Sequence, residues 1–131
     1  MGKILKMKVH NNRQLKELQK EFNTIFPYLK IEFFKNPHKE GIGSDEREIL
    51  NSNLKVGDAR DKSTIGLMPI LGNMSVGAFE KTFEEMFGLF VQVYRKSHGK
   101  WLQTWVTDVW TLEEQNNRGK VLGDIDNLMI N

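Results

Sequence analysis

At 131 residues, the chain has the ordinary length of a single domain. Its composition, 39% hydrophobic and 27% charged, excludes a wholly disordered protein. The absence of cysteine excludes a disulfide framework and suits a reducing compartment. The net charge of +2, from 19 basic and 17 acidic residues, lacks the strong positive excess of a dedicated nucleic-acid domain.

The first eight residues contain no long apolar run, because lysines interrupt it. We therefore expect neither a signal peptide nor a membrane anchor in this segment. We expect a soluble, cytoplasmic protein that forms one domain over residues 1–131, and we find no internal repeat in the sequence.

The front of the chain predicts a strand and a helix. Residues 3–10 alternate apolar and polar side chains, which is typical of a strand with one solvated face. Apolar side chains at three- and four-residue spacings over residues 15–26 predict an amphipathic helix. We expect Asn11 or Asn12 to cap this helix and Pro27 to end it.

A second strand is predicted over residues 28–34, where the apolar alternation returns. Strand, helix and strand in this order indicate a βαβ unit, with antiparallel pairing left open. Residues 35–73 are polar, rich in glycine and broken by proline, so we expect an irregular or partly mobile segment. Within it, the apolar run 65–72 is at best an edge strand.

The back of the chain predicts a helix and a hairpin. Ser75 is placed to cap the helix over residues 76–87, and Gly88 is placed to end it. We assign Glu80, together with the other two glutamates of this helix, to the solvated face. Strands are predicted over 89–95 and 101–106.

A capping box, in which Thr111 and Glu114 cap each other's backbone, predicts a short C-terminal helix. We expect this helix to end at Gly119, and we expect a weakly specified tail beyond Lys120.

A set of short runs in the sequence can be considered together as a possible family pattern. They are Phe26–Ile31 near the front and Phe87–Leu89, Val91–Val93, Arg95–Ser97, Trp101–Thr104, Thr107–Asp108 and Trp110–Asn116 behind it. Together they resemble a small family of uncharacterised bacterial α+β proteins. The resemblance implies an α+β fold and a bacterial origin, and it assigns no activity and no site.

The register of the hairpin depends on its turn. A three-residue loop, 97–99, pairs Lys96 with Lys100, whereas a two-residue loop at His98 and Gly99 shifts the register by one. We expect the three-residue loop. One sheet face then packs on the helices, and the second face carries Phe90, Gln92, Tyr94, Leu102, Thr104 and Val106.

This second face is too apolar to be fully solvated, so the middle segment, a partner or a ligand should cover it. We therefore interpret Phe90, Gln92, Tyr94, Thr104 and Val106 as binding residues, and we add Arg95 and Asp108 beside them.

No catalytic, metal or cofactor pattern is present. The three histidines lack the spacing of metal ligands, and the serines and glycines lack the contexts of a nucleophile or a phosphate loop. Enzymatic activity stays open but disfavoured. Asp108 with Arg95 is the only acid–base pair that we can suggest, and no second catalytic group accompanies it.

We therefore expect an α+β two-layer sandwich: a mixed sheet of four to five strands, two amphipathic helices on one face and a short C-terminal helix. The expected function is non-enzymatic binding or interaction, including a homodimer formed through the second face.

The alternative is binding of single-stranded nucleic acid. In that case Phe90 and Tyr94 would stack on bases, and basic side chains would contact phosphates. Those side chains are Lys6, Lys8, Arg95 and Lys100.

Overall fold

The computed structural model describes residues 5–38 and 42–130, with side chains as far as residue 125. The strands are β1 (Leu5–Val9), β2 (Leu29–Phe34), β3 (Gly66–Ile70), β4 (Phe90–Ser97) and β5 (Lys100–Gln103). The helices are α1 (Leu15–Ile25), α2 (Val76–Phe87) and α3 (Leu112–Ile130). Short 3₁₀ turns occupy Glu46–Glu48, Val56–Asp58 and Trp105–Thr107.

The predicted α+β class is confirmed, but the single mixed sheet is wrong. The five strands form two antiparallel sheets, one of β1 and β3 and one in the order β2-β4-β5. The predicted βαβ unit does not bring β1 and β2 together, because each pairs with a strand from the back half of the chain. Pairing over this distance in sequence leaves no local pattern from which to read it.

Phenylalanine side chains join the two amphipathic helices in the core. The ring of Phe22 on α1 lies 5.1 Å from that of Phe79 on α2, and Phe79 meets Phe83 edge-on at 5.2 Å. All three rings are fully buried. Tilted and edge-on aromatic pairs add to the free energy gained by burying the rings, so these contacts hold the halves of the chain together.

The two halves are built alike, which the sequence did not reveal. Each contains a strand, a turn (10–14 or 71–75), a helix and a second strand. In each half a later turn forms a bridge to the residue before the helix, Gln14 to Lys55 in one and Ser75 to Thr111 in the other.

Hydrogen bonds around the two bridges correspond one to one. The Leu15 N–H donates to the Leu54 carbonyl at 2.9 Å, as the Val76 N–H does to the Trp110 carbonyl at 2.9 Å. Two further pairs match in the same way: Val56 with Arg13, and Leu112 with Met74. Residues at equal distances from the starts of α1 and α2 are therefore structural equivalents.

The hairpin between β4 and β5 adopts the two-residue loop, so the expected three-residue loop is wrong. Ser97 pairs with Lys100, and His98 and Gly99 both have positive φ, 49° and 75°. Positive φ at both turn positions defines a type I′ turn, whose twist matches that of the flanking strands. Consequently Trp101, rather than Leu102, shares a face with Tyr94.

Most of the predicted caps are confirmed. The Ser75 Oγ accepts the Ala78 N–H at 3.0 Å, and Gly88 ends α2 with a φ of 66°. The Thr111–Glu114 capping box is present in both directions. The start of α1 differs, because residues 11–13 form a turn, so Gln14 rather than Asn11 or Asn12 precedes the helix.

Helix α3 does not end at Gly119 but continues to Ile130. Gly119 lies instead where the helix crosses Tyr28. A Cβ atom at position 119 would lie 2.7 Å from the Tyr28 Cβ and 3.2 Å from its carbonyl oxygen. The glycine is needed for this close approach, and it does not act as a helix terminator.

We predict opposite effects for two glycine-to-alanine changes on α3. Gly119→Ala should lower the free energy of unfolding by about 1–3 kcal/mol, because its Cβ overlaps Tyr28. Gly123→Ala is the matched control, since its Cβ would stand 3.7 Å from the Tyr28 ring. It should raise stability by about 0.5–1 kcal/mol through helix propensity. Urea unfolding measures both, and equal effects would contradict the assigned crossing.

Candidate functional site

Residues 42–46 cover the second face of the three-stranded sheet. The Ser44 N–H donates to the Gln103 Oε1 at 2.8 Å, and the Gln103 Nε2 donates to the Ser44 carbonyl at 2.8 Å. Beside this pair, the Tyr94 hydroxyl donates to the Glu46 Oε1 at 3.3 Å. Burial, followed by the charge of Glu46, raises the pKa of Tyr94 far above its ordinary value.

The residues expected to form one exposed binding face are therefore dispersed. Gln92, Tyr94 and Thr104 are buried, whereas Val106 is 70% exposed on the 3₁₀ turn after β5. The Thr104 Oγ1 donates to the Val93 carbonyl at 2.9 Å, which is a structural contact.

Arg95 points to the other side of the sheet. There its Nη1 donates to the buried Gln115 at 3.0 Å. Of the expected binding residues, only Phe90 and Asp108 line a common recess.

That recess, which we call the cleft, has a volume of about 390 Å³. The cleft is lined by Phe34, residues 36–38 and Ser44, and by residues of α2, the start of β4 and Asp108. The side chains that give it chemical character are Phe34, His38, Glu80, Glu84, Phe90 and Asp108.

Glu80 is the buried polar group of the cleft, with 7% of its surface exposed. Its Oε2 accepts the Val93 N–H at 2.8 Å and the Gln92 Nε2 at 3.2 Å. Its Oε1 lies 3.4 Å from the His38 Nε2. The carboxyl group thus ties α2 to the edge of β4 and to the segment that carries His38.

A hydrogen bond between His38 and Glu80 requires one proton at their contact. The His38 Nδ1 lies 2.9 Å from the Ile42 carbonyl, which only accepts, so Nδ1 carries a hydrogen. The Glu80 Oε2 already accepts two donors, so it is unprotonated. The contact between Nε2 and Oε1 then needs a single proton, held by the imidazolium or by the carboxylic acid.

Burial raises the pKa of Glu80 above its ordinary value. The hydrogen bonds from His38 and Val93 work against this shift, and the nearby charge of Asp108 adds to it. A group that keeps its proton longer in the folded state stabilises the fold at low pH. This contribution is lost as the pH rises through the folded pKa.

The same helix positions in the front half carry amides. Gln19 is equivalent to Glu80, and its Nε2 donates to the Ile31 carbonyl at 3.0 Å. Asn23 is equivalent to Glu84, and its Nδ2 donates to the Leu29 carbonyl at 2.8 Å. These two amides seal the free edge of β2. An ionised carboxylate cannot donate a hydrogen bond, so α2 does not seal β4 in this way.

The open edge of β4 lies at Val91. The Val93 backbone points away from β2, since its N–H goes to Glu80 and its carbonyl accepts the Thr104 N–H at 3.1 Å. Backbone groups two residues apart on a strand point the same way, so those of Val91 face the cleft. No hydrogen bond joins them to the described part of the chain, because the pairing of β5 with β4 stops at Tyr94.

A second depression, about 760 Å³ and more open, lies beyond Phe90. Its central cation is Arg60, whose Nη1 donates to the Phe87 carbonyl at 2.9 Å and whose Nη2 donates to the Asn11 Oδ1 at 2.7 Å. A cation at the end of a helix neutralises the partial negative charge of its carbonyls. The charge of Arg60 is thus used within the fold, and the cleft is the stronger candidate site.

The assignment of Glu80 to the solvated face of α2 is wrong. A signal for its burial was present in the sequence. Glu80 follows Val76 by four residues and precedes Phe83 and Phe87 by three and seven, which are the spacings of the buried stripe. His38, by contrast, had no such signal, because it lies in the irregular segment.

Comparisons with protein families, with curated proteins and with solved structures give no match for this chain. The bacterial origin implied by the sequence resemblance thus stays a prediction. Within residues 5–38 and 42–130, no helix is long and apolar enough to cross a membrane. In the same part of the chain, no three His, Asp or Glu side chains are grouped as metal ligands.

Exchanging glutamate and glutamine between the equivalent positions 80 and 19 tests the raised pKa of the Glu80 carboxyl. In Glu80→Gln, the oxygen of the new amide can still accept the hydrogen bonds from the Val93 N–H and the Gln92 amide. Its nitrogen can donate to neutral His38. The wild type loses the stabilisation from the proton of Glu80 as the pH rises. The free energy of unfolding of Glu80→Gln minus that of the wild type should therefore increase from pH 5 to pH 8. A pH-independent difference in urea unfolding would contradict the raised pKa of Glu80.

The reverse change, Gln19→Glu, is the matched control. It points a carboxylate at the Ile31 carbonyl and at Glu32, which now accept the Gln19 amide. The loss in stability should be about 1–3 kcal/mol at pH 7, and it should shrink at acid pH as the new group protonates.

Proposed function

We propose that this chain is a non-enzymatic binding protein that holds a small molecule in the cleft. The observation that carries the proposal is the pair of carboxylates, Glu80 and Glu84, at positions where the front half seals its strand with amides. A buried carboxylate beside an open strand edge costs stability, and recognition of a ligand gives a reason for it.

The shape and lining of the cleft support this proposal. A volume of about 390 Å³ lies within the usual range for small-molecule sites. The partly exposed ring of Phe90 offers apolar surface, and the carboxylates and the Val91 backbone offer a few directed polar groups. Such a combination is typical of ligand sites in proteins.

Binding rather than turnover is proposed because the histidine and the serine of the cleft are already engaged. Both ring nitrogens of His38 contact acceptors, and the Ser44 Oγ donates to the Gln92 Oε1 at 3.3 Å. A histidine that acts as a general base needs a free ring nitrogen within reach of the proton that it removes, and a serine nucleophile needs a base beside it.

The cleft takes the place of the second sheet face in this proposal. Self-association through that face is left out because residues 42–46 cover Gln92 and Tyr94. Base stacking on Tyr94 is left out because the ring is 2% exposed and lies beneath Lys30, whose Nζ is 4.9 Å from its centroid.

A fragment screen by ligand-observed NMR tests the proposal. Charged and uncharged aromatic fragments should include binders that also shift the backbone amides of Gly77, Val91 and Val93. Phe90→Ala should weaken these binders about tenfold or more, because it removes an aromatic wall. Leu102→Ala is the matched control, since Leu102 is 46% exposed on β5 and outside the cleft.

No binder at these amides, or equal binding by both variants, would contradict the proposal. Amide spectra of the two variants away from the cleft check that each is folded.

A further inference from the structure

We propose that the ligand of the cleft carries a positively charged nitrogen with N–H donors, such as an ammonium or amidinium group, next to an aromatic or apolar part. The inference rests on the proposed function and names its ligand class. It is carried by the hydrogen-bonding groups of the cleft that have no partner among the described residues.

The first step concerns acceptors. In the front half, the amides of Gln19 and Asn23 supply donors to strand carbonyls. The back half replaces both by carboxylates, so two donors are removed and acceptors take their place. The Val91 carbonyl then faces the cleft without a donor from the described residues. A ligand that enters here must supply N–H groups, because a buried carbonyl left unpaired is costly.

The second step concerns charge. Glu84 and Asp108 line the cleft, and neither carboxylate has a hydrogen-bond or ion-pair partner among the described residues. Glu80 contacts His38, and because a hydrogen bond between them holds a single proton, this pair brings no net positive charge to the cleft. Lys81 also lines the cleft, but its Nζ lies 3.8 Å from the Glu85 carboxylate outside it. The cleft is therefore negative, which favours a cation and disfavours carboxylates and phosphates.

The third step concerns the apolar wall. Phe90 is partly exposed and forms the aromatic wall of the cleft, and Phe34, its partner across the strand pair β2–β4, is buried behind it with 2% of its surface exposed. Aromatic faces attract cations and also pack against apolar groups. A ligand with an aromatic or apolar part beside its charged nitrogen would thus fill both halves of the site.

Three fragments that share a benzyl or phenyl ring test the inference: benzylammonium, benzyl alcohol and benzoate. Each is titrated at pH 7 while the Gly77, Val91 and Val93 amide signals are followed. Benzylammonium should shift them and bind at least about tenfold more tightly than the others, and added salt should weaken it.

The second part of the experiment uses two protein variants in which a carboxylate is replaced by its neutral isostere. Glu84→Gln and Asp108→Asn should each weaken benzylammonium several-fold and leave benzyl alcohol unchanged. Asp124→Asn on α3 is the control for the same loss of charge at an exposed position outside the cleft, and it should have no effect.

The outcomes separate the two proposals. Binding of benzyl alcohol or benzoate at these amides in preference to benzylammonium would overturn the cationic class and leave the binding cleft standing. Equal benzylammonium affinity in all variants would also overturn the cationic class. No shift at these amides with any of the three fragments would overturn it as well. The broader fragment screen then decides whether the cleft binds anything.

Discussion

A buried strand edge must give each of its backbone N–H and carbonyl groups a partner, and this requirement shapes the molecule. Residues 48–50 pair with the outer edge of β2 only around Phe33, so Gln19 and Asn23 reach from α1 to the carbonyls of Ile31 and Leu29. On β4, Glu80 and Thr104 provide partners for the Val93 backbone. The Val91 backbone has no partner among the described residues. The cleft lies at this part of β4, where backbone groups have no partner among the described residues.

The internal repeat provides the comparison that relatives would otherwise supply. Because the bridges Gln14–Lys55 and Ser75–Thr111 match, a position on α1 shows what its equivalent on α2 needs for folding alone. The amide positions satisfy folding in the front half. The carboxylates at the equivalent positions of the back half are not required for folding. This difference identifies Glu80 as a candidate functional residue without knowledge of a ligand.

Local features could be predicted from the sequence, and non-local ones could not. The Ser75 cap, the left-handed Gly88 and the Thr111 capping box depend on residues a few positions apart. The hairpin register was ambiguous because both loops kept a plausible alternation, and only the φ values of His98 and Gly99 decide it. The division into two sheets depends on partners about sixty residues away. The cleft depends on where residues 36–38 and Ser44 lie, in a part of the sequence that shows no periodicity.

The pairing of strands across the repeat also has a kinetic consequence. Among the described strands, β1 and β2 find their partners only in β3 and β4, so the front half has no sheet of its own during synthesis. Until β4 emerges from the ribosome, its apolar strands have open edges. Folding of this kind, dominated by distant contacts, is expected to be slow for the size of the chain, and unpaired strand edges leave the front half prone to aggregation until β3 and β4 are made.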